Sequence, residues 1–297
     1  MTLWYQNAVI NGVTMPAQRK HDTSQRRWRD LVQPLIPPNG EGRLFLELGC
    51  NAGFYLRKAS ELGYNTWGIE KEKVYYEQAQ YWELQEPRGV RIEFADINDY
   101  QIPACFICLI ANVHYWLTPP QINRLMQQLK EKALNVILVS RIYPDERHLS
   151  DCTEKAAREI FSDWEFVDWK HNSKHYSILF HNPNLIEYDT ANLFNIQPFT
   201  RSRRFLPAFR EFIDVVISRR KFRLDKTAYW NYATWRGWRN RLSNLRRIRK
   251  MILLAERDGI TNPPLVRVNG LMIDGNHRLI IAEKLGIPRI ICKQSST

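Results

Sequence analysis

The chain has 297 residues, is 44% hydrophobic and 25% charged, and carries a formal net charge of +12 at pH 7. That length exceeds the roughly 100–200 residues usual for one domain, so two are expected. No apolar stretch approaches the ~20 residues that span a bilayer. The amino terminus, MTLWYQNAVINGV, has neither an early positive region nor a cleavage site. Cys50, Cys105, Cys108, Cys152 and Cys292 are odd in number and scattered, which argues for reduced thiols and a cytoplasmic protein.

Residues 4–15 read as a small hairpin turning at Asn11-Gly12. Ser24 to Leu35 makes a leading helix, stopped by Pro37-Pro38-Asn39-Gly40. Strands near 44–48, 65–69, 91–95, 106–111 and 134–140 then alternate with helices near 54–62, 72–83 and 119–132. This alternation predicts a parallel sheet covered on both faces, with a ligand at the carboxyl ends of its strands. Another helix is expected over Glu154 to Phe161, and a final pair of strands over Trp164–Trp169 and His175–His181, with an exit at Asn182-Pro183-Asn184.

Within this run Cys105-Phe-Ile-Cys108 invites a redox or zinc reading. It enters an apolar strand, where positions i and i+3 point to opposite faces, so buried core thiols are expected. His171 and His175 flank a hairpin turn, and the seven histidines suggest no metal cluster.

The most informative stretch is Leu44-Phe-Leu-Glu47-Leu-Gly49-Cys50-Asn51-Ala-Gly53, an apolar strand ending in an acid and two glycines spaced four apart. Missing Cβ atoms let a ligand approach the backbone, and the free N–H groups of the next helix face it. The second strand ends in Glu70, seventeen residues after Gly53. A carboxylate there can accept hydrogen bonds from both ribose hydroxyls of an adenosine nucleoside. A dinucleotide fingerprint, G-x-G-x-x-G, wants a middle glycine, and Cys50 stands in that place.

Residues 24–182 therefore resemble the S-adenosylmethionine-dependent methyltransferases of the Rossmann-like class, whose first motif is an acid, x, Gly, three residues, Gly. The resemblance implies S-adenosyl-L-methionine as cofactor, held by Glu47, Gly49, Asn51, Gly53, Glu70 and Asp96, the last reaching the adenine amine. It also places catalytic or substrate-facing groups in Asn112-Val-His114-Tyr115-Trp116-Leu117, and an antiparallel pair at the end of the sheet. His114 is read as a base or acceptor-orienting group, with a packing role as the alternative, and Asn112 as a hydrogen-bonding partner for an amine acceptor. The Asn/Asp-Pro-Pro-Tyr/Phe motif of base-amine methylation is absent. Gly49→Val is expected to abolish cofactor binding and leave the fold intact.

Between Thr200 and Lys250 sixteen Lys or Arg face three acids, Glu211, Asp214 and Asp225, a balance of +13. Tyr229-Trp230-Asn-Tyr232-Ala-Thr-Trp235-Arg236-Gly-Trp238-Arg239 interleaves aromatics with guanidinium groups, which suits stacking on bases beside phosphate. A basic amphipathic segment with core aromatics and solvated arginines reads equally well.

Near the carboxyl end, Pro264 to Ile273 reads as a hairpin around Asn269-Gly270 and runs into Asp274-Gly275-Asn276-His277-Arg278 and a helix. Free N–H groups, the helix dipole and Arg278 together suit an anion. This stretch resembles the ParB/sulfiredoxin-like fold, with Gly-x-His-Arg followed by Ala282, Leu285 and Gly286, over about Ile248–Lys293. The resemblance implies phosphate binding by Asp274, Gly275, Asn276, His277 and Arg278, a nucleotide (ATP, ADP or CTP), and kinase chemistry as in members that phosphorylate small molecules. A capping role for His277 and Arg278 is the alternative.

The fold class expected is α/β: a Rossmann-like methyltransferase sheet, mostly parallel with an antiparallel final hairpin, then a smaller α+β ParB/sulfiredoxin-like domain. The divisions are 1–184, a basic helical connector over 185–247, and 248–297. The expected substrate is a small molecule or glycan, with or without a phosphate, and the competing class is a nucleic-acid-binding or nucleic-acid-modifying methyltransferase using residues 200–250.

Overall fold

The structure is a computed structural model that describes residues 8–15, 23–197, 204–218, 226–235, 240–267 and 270–295, with residues 4, 6, 200, 202 and 223. Asn269 of the carboxyl-terminal turn, and Arg201, Arg203, Arg219, Arg220, Lys221, Arg236, Trp238 and Arg239 of the basic segment, lie outside them. The chain divides into two compact units, Met1–Pro183 and Asn184–Thr297.

In the first unit, β1 (Val9–Ile10) and β2 (Val13–Thr14) pair antiparallel around Asn11-Gly12. The leading helix is not one α-helix. Thr23–Arg27 (α1) gives way to a π-turn at Trp28–Val32 and a 3-10 turn at Gln33–Leu35. Pro34 has no N–H to donate and its ring crowds the carbonyl four residues back, so the ladder cannot run on unchanged.

The elements β3 (Leu44–Leu48), α2 (Phe54–Glu61), β4 (Asn65–Glu70), α3 (Lys73–Gln85), β5 (Val90–Phe94), β6 (Cys105–Ala111), α4 (Pro119–Lys132) and β7 (Ala133–Arg141) follow in turn. Then come α5 (Glu154–Ile160), β8 (Glu165–His171) and β9 (His175–His181). Seven strands form one sheet in the order β5-β4-β3-β6-β7-β9-β8. The first five are parallel, and β9 runs antiparallel between β7 and β8.

Both faces of the central strands are covered, which is why they read as unbroken apolar runs. Phe45, Ile107, Leu109, Ile137 and Val139 pack on one side with Tyr55, Ala59, Trp28 and Leu31. Leu46, Leu48, Cys108, Ile110, Val136 and Leu138 pack on the other with Ile122, Leu125, Met126 and Leu129 of α4. Those four recur with helical spacing, and each fully buried apolar side chain contributes about 1.5–3 kcal/mol. Thr118 and Gln121 form a capping box that fixes the start of α4.

Cys105 and Cys108 are both buried and share one apolar layer, contrary to the alternation expected of them. Phe106 and Ile107 both pack on the opposite layer, so the pleat is irregular at the start of β6. A buried pair under a parallel sheet still has no access for redox exchange.

The second unit contains β10 (Leu185–Asp189), α6 (Thr190–Asn195), α7 (Phe205–Ile217), α8 (Ala228–Trp235), α9 (Arg241–Asp258), β11 (Leu265–Val266), β12 (Met272–Asp274), α10 (Asn276–Lys284) and β13 (Arg289–Gln294). Its sheet has the order β10-β13-β11-β12, with only the β11–β13 pair parallel. Residues 185–189, read from sequence as connector, are therefore an edge strand. Phe209, Phe212, Tyr229, Leu245 and Ile248 of the basic segment, with Ile252 just past it, share one core with Leu279 and Ile280 of α10. The arginine-rich helices are thus amphipathic walls of this unit. Among the described residues, no helix is long and apolar enough to cross a membrane.

Candidate functional site

β3 pairs with β4 on one side and β6 on the other, all parallel, so the strand order reverses at β3. Open α/β sheets bind ligands outside the carboxyl ends of the strands at such a point. Residues 49–53 form the turn there. Gly49 and Cys50 donate their N–H groups to Ile69 O at 2.9 and 3.1 Å. Gly49 has a φ of 68° and Asn51 one of 53°, and the left-handed region suits Gly and Asn best. A Cβ at position 49 would lie 2.6 Å from Val113 Cγ2, so the turn after β3 rests directly on the loop after β6. The expectation that Gly49→Val spares the fold is therefore corrected: a branched side chain clashes with packed protein before it meets any ligand.

Glu70 is 5% exposed. Its Oε2 accepts from Asn51 N–H at 2.7 Å and its Oε1 from Glu72 N–H at 2.8 Å. Burial raises its pKa, and the amides of Glu72, Asn51 and Lys71 oppose that shift. A carboxylate has about four lone-pair sites, so three amides leave it capacity for a further donor. Glu47 is 1% exposed, and its Oε2 has no hydrogen-bond partner among the described residues. Burial, then the neighbouring Glu70 charge, pushes its carboxyl well above the usual range. Asp96, just past β5, accepts from Asn98 N–H at 2.9 Å and lies 3.9 Å from Lys71 Nζ.

Two residues of this region were not legible as site residues. Gly68 leaves room for the turn: a Cβ there would stand 2.5 Å from Cys50 Sγ. The Cys50 side chain is thus turned into the core, and its bulk is not what distinguishes this turn from a dinucleotide cradle. A glycine inside a strand is the signal for such a close approach. Gln6 is the other: its Oε1 accepts from Phe54 N–H, the first amide of α2, at 3.1 Å.

After β6, Asn112 has a φ of 59° and its N–H donates to Val139 O at 2.9 Å. Both polar atoms of its side chain are buried without a partner among the described residues. His114 is 4% exposed, with Nε2 3.4 Å from Ser140 Oγ and Nδ1 unpartnered among the described residues. Burial first, then His148, lowers its pKa to about 4. The structure thus gathers Glu47, Gly49, Asn51, Gly53 and Glu70 around one turn, with Asp96 at the tip of the strand beyond β4. Asn112 and His114 flank Val113, the residue on which Gly49 rests.

In the second unit, Asp274, Gly275, His277 and Arg278 line a cavity of about 420 Å³, with Arg247 and Lys250 of α9 also in its wall. Among the described residues neither Arg247 nor Lys250 forms an ion pair. Asn276, the first residue of α10, is exposed. Gly275 has a φ of 104°, and a Cβ there would lie 2.4 Å from Pro264 Cβ. Arg278 is engaged inside the protein: it donates to Asn262 O at 3.1 Å, to Pro263 O at 3.2 Å and to Asp274 Oδ2 at 2.8 Å. His277 Nε2 and Tyr229 Oη are 2.5 Å apart, and burial lowers the imidazole to about 4. Tyr229 is fully buried, so this aromatic of the basic segment offers no face for stacking on a base. Among the described residues no three or more His, Cys, Asp and Glu side chains gather to hold a metal ion.

No family model and no curated protein matches the chain. Among solved structures, it is similar to TehB from Haemophilus influenzae, with 18% identity and a TM-score of 0.42 over 47% of this chain and 57% of that one. Another is a TehB-like SAM-dependent methyltransferase from Corynebacterium glutamicum, with 15% identity and a TM-score of 0.38 over 53% of this chain and 95% of that one. A third is the magnesium protoporphyrin IX methyltransferase of Synechocystis PCC 6803 with bound SAH, with 13% identity and a TM-score of 0.41 over 48% and 74%. The chain spans 57% of the length of the Haemophilus influenzae protein.

Proposed function

We propose that the first unit is an S-adenosylmethionine-dependent methyltransferase acting on a small molecule. The observation that carries this reading is the turn 49–53 resting on the Glu70 carboxylate at the point where the strand order reverses. A ribose placed over that turn meets Glu70 as acceptor for its hydroxyls, with Asp96 at the next strand tip for the adenine amine. The reversed strand β9 between β7 and β8 also separates this sheet from the 3-2-1-4-5-6 order of dinucleotide-binding folds.

When bound, S-adenosylmethionine supplies a methyl group on a sulfonium that leaves readily. The work left to the chain is alignment, the exclusion of water and the handling of one proton. Asn112 and His114 bring polar atoms without a partner among the described residues to the loop beside Gly49, which suits them to orient the acceptor. The test is photo-crosslinking with methyl-labelled S-adenosylmethionine. Label within residues 44–72, displaced by S-adenosylhomocysteine and not by NAD, supports the reading. Label elsewhere, or displacement by NAD, contradicts it.

The second unit supports a further reading, as an anion-binding module of the ParB/sulfiredoxin-like kind. Its carrying observation is the 420 Å³ cavity with Arg247 and Lys250 facing the turn before α10. A phosphate or nucleotide fits that charge, and the volume falls in the ~300–1,000 Å³ range of small-ligand pockets. Kinase chemistry receives less support, because Asp274 is paired with Arg278 and His277 with Tyr229.

A further inference from the structure

The loop after β7 folds back onto the loop after β6. Leu149 N–H donates to Tyr115 O at 2.8 Å, and Ser150 Oγ donates to Leu117 O at 2.5 Å. This clasp stacks the His148 ring on Tyr115 at 4.1 Å and sets it edge-on to Trp116 at 5.3 Å, while His114 lies 5.2 Å from the same Tyr115 ring. The cluster reaches the surface, since Trp116 is 45% and Leu149 57% exposed.

Each imidazole carries one buried nitrogen without a partner among the described residues, Nδ1 of His114 and Nε2 of His148. The other nitrogens fix which of these holds a proton, as assigned from hydrogen-bond partners. His148 Nδ1 accepts from Asp145 N–H at 3.2 Å, so its proton is on Nε2. Ser140 Oγ and Tyr176 Oη both reach Cys152 O, at 2.9 and 2.7 Å; with Ser140 donating there it meets His114 as an acceptor, and we assign the His114 proton to Nε2 on that basis. That leaves a donor on His148 and a bare lone pair on His114. Leaving such groups unpaired costs about 1–3 kcal/mol each, a cost that a bound partner removes.

The cations of the same loop are already committed. Arg147 forks onto Asp145 at 2.9 and 2.7 Å, and Arg141 lies 3.8 Å from the same carboxylate. Among the described residues the polar groups this leaves without partners are one neutral donor, one neutral acceptor and the amide of Asn112, with the Asp151 carboxylate the charge that acts on His114.

We propose that His148 is a substrate-binding donor paired with the His114 acceptor, and that the methyl acceptor is an uncharged hydroxyl on an apolar or aromatic body. This rests on the methyl-transfer reading of the first unit. In the step it implies, the substrate oxygen forms a bond to the methyl carbon, and the carbon–sulfur bond breaks with its electron pair staying on sulfur. The hydroxyl proton passes to His114 Nδ1. Even a weakly basic imidazole suffices, because the oxygen becomes strongly acidic as its new bond forms. The His148 donor meanwhile holds the oxygen through a second lone pair.

The test uses the full chain labelled with 15N-histidine, with and without S-adenosylhomocysteine, and three probes of similar shape: 4-methylphenol, benzoate and phenyl phosphate. Expected are Nε2–H tautomers for both residues at pH 7, saturable shifts at His114 Nδ1 and His148 Nε2 with 4-methylphenol, and at least about tenfold weaker binding of the two anions. His148→Phe keeps a ring against Tyr115 and should lose about tenfold or more in 4-methylphenol affinity, whereas His148→Gln restores a donor and recovers part of it. Unchanged S-adenosylhomocysteine affinity in both variants excludes misfolding. A proton on His114 Nδ1, no saturable shift with 4-methylphenol, equal or tighter binding of the anions, or an unaffected His148→Phe each overturns the proposal. Failure to bind S-adenosylhomocysteine contradicts the methyl-donor reading instead, and the tautomers are still read in that sample.

Discussion

The Asn51 amide donates to Glu70 Oε2 at 2.7 Å, tying the turn after the first central strand to the tip of the second. Glu70 is therefore both a scaffold for the turn and the candidate acceptor for a ribose. These roles separate experimentally. Glu70→Gln keeps one oxygen to accept from the amides and should retain a folded chain while binding S-adenosylhomocysteine about ten- to a hundredfold more weakly, the range expected for losing a hydrogen bond to a charged group. Calorimetry reads the affinity and a thermal melt reads the fold. Unchanged affinity would remove Glu70 from the site.

Gly49 gives the opposite pattern. With a left-handed φ of 68° and Val113 Cγ2 only 2.6 Å from a hypothetical Cβ, Gly49→Val should destabilise the first unit by several kcal/mol, adding ~1–2 kcal/mol of backbone strain to ~1–3 kcal/mol of overpacking. A melting temperature equal to that of the wild type would show that the two loops part easily.

Glu47 predicts a pH dependence. Its folded-state pKa is raised, so the folded chain holds a proton that the unfolded chain releases once pH exceeds the ordinary carboxyl value. The wild type therefore loses stability from this group as pH rises from about 4.5 towards the folded value. Glu47→Gln removes the titration. The melting temperature of the variant relative to the wild type should improve between pH 5 and pH 8, and a difference independent of pH would show that the Glu47 carboxyl is not buried.

Much of the first unit was legible because its signals are local. Apolar runs bounded by turns, the glycine spacing at 49–53 and the capped helix over 119–132 each specify one element. What escaped depends on tertiary contact. Gly68 matters only because Cys50 points at it, Gln6 only because it reaches the first amide of α2, and His148 only because its loop is clasped to Tyr115. The leading helix failed at Pro34, where breaker chemistry was present but was placed three residues too late. In the second unit the basic segment read equally well as a nucleic-acid surface and as an amphipathic segment with core aromatics. Its charges are real, but Tyr229 and the apolar stripe of α9 belong to a core that composition alone does not reveal.

The cavity of the second unit makes a separate prediction. Arg247→Ala with Lys250→Ala should weaken binding of inorganic phosphate or ADP by about tenfold or more, since each cation contributes a charge-assisted contact. Tyr229→Phe, which takes the hydroxyl from His277 Nε2, should lower the melting temperature by several degrees, through the ~1–3 kcal/mol of a buried unpaired group. Phosphate-31 NMR and a thermal melt check the two outcomes. Equal phosphate affinity in the double variant would leave the cavity without an anion role.

We propose that the turn at 49–53 holds an adenosine carrying a methyl donor. Isothermal titration of the full chain with S-adenosylhomocysteine, and in parallel with NAD, tests it most directly. One saturable site for S-adenosylhomocysteine, weakened in Glu70→Gln, with no heat from NAD, is the predicted result. Binding of NAD at this site, or no binding of S-adenosylhomocysteine by a folded chain, would contradict the account.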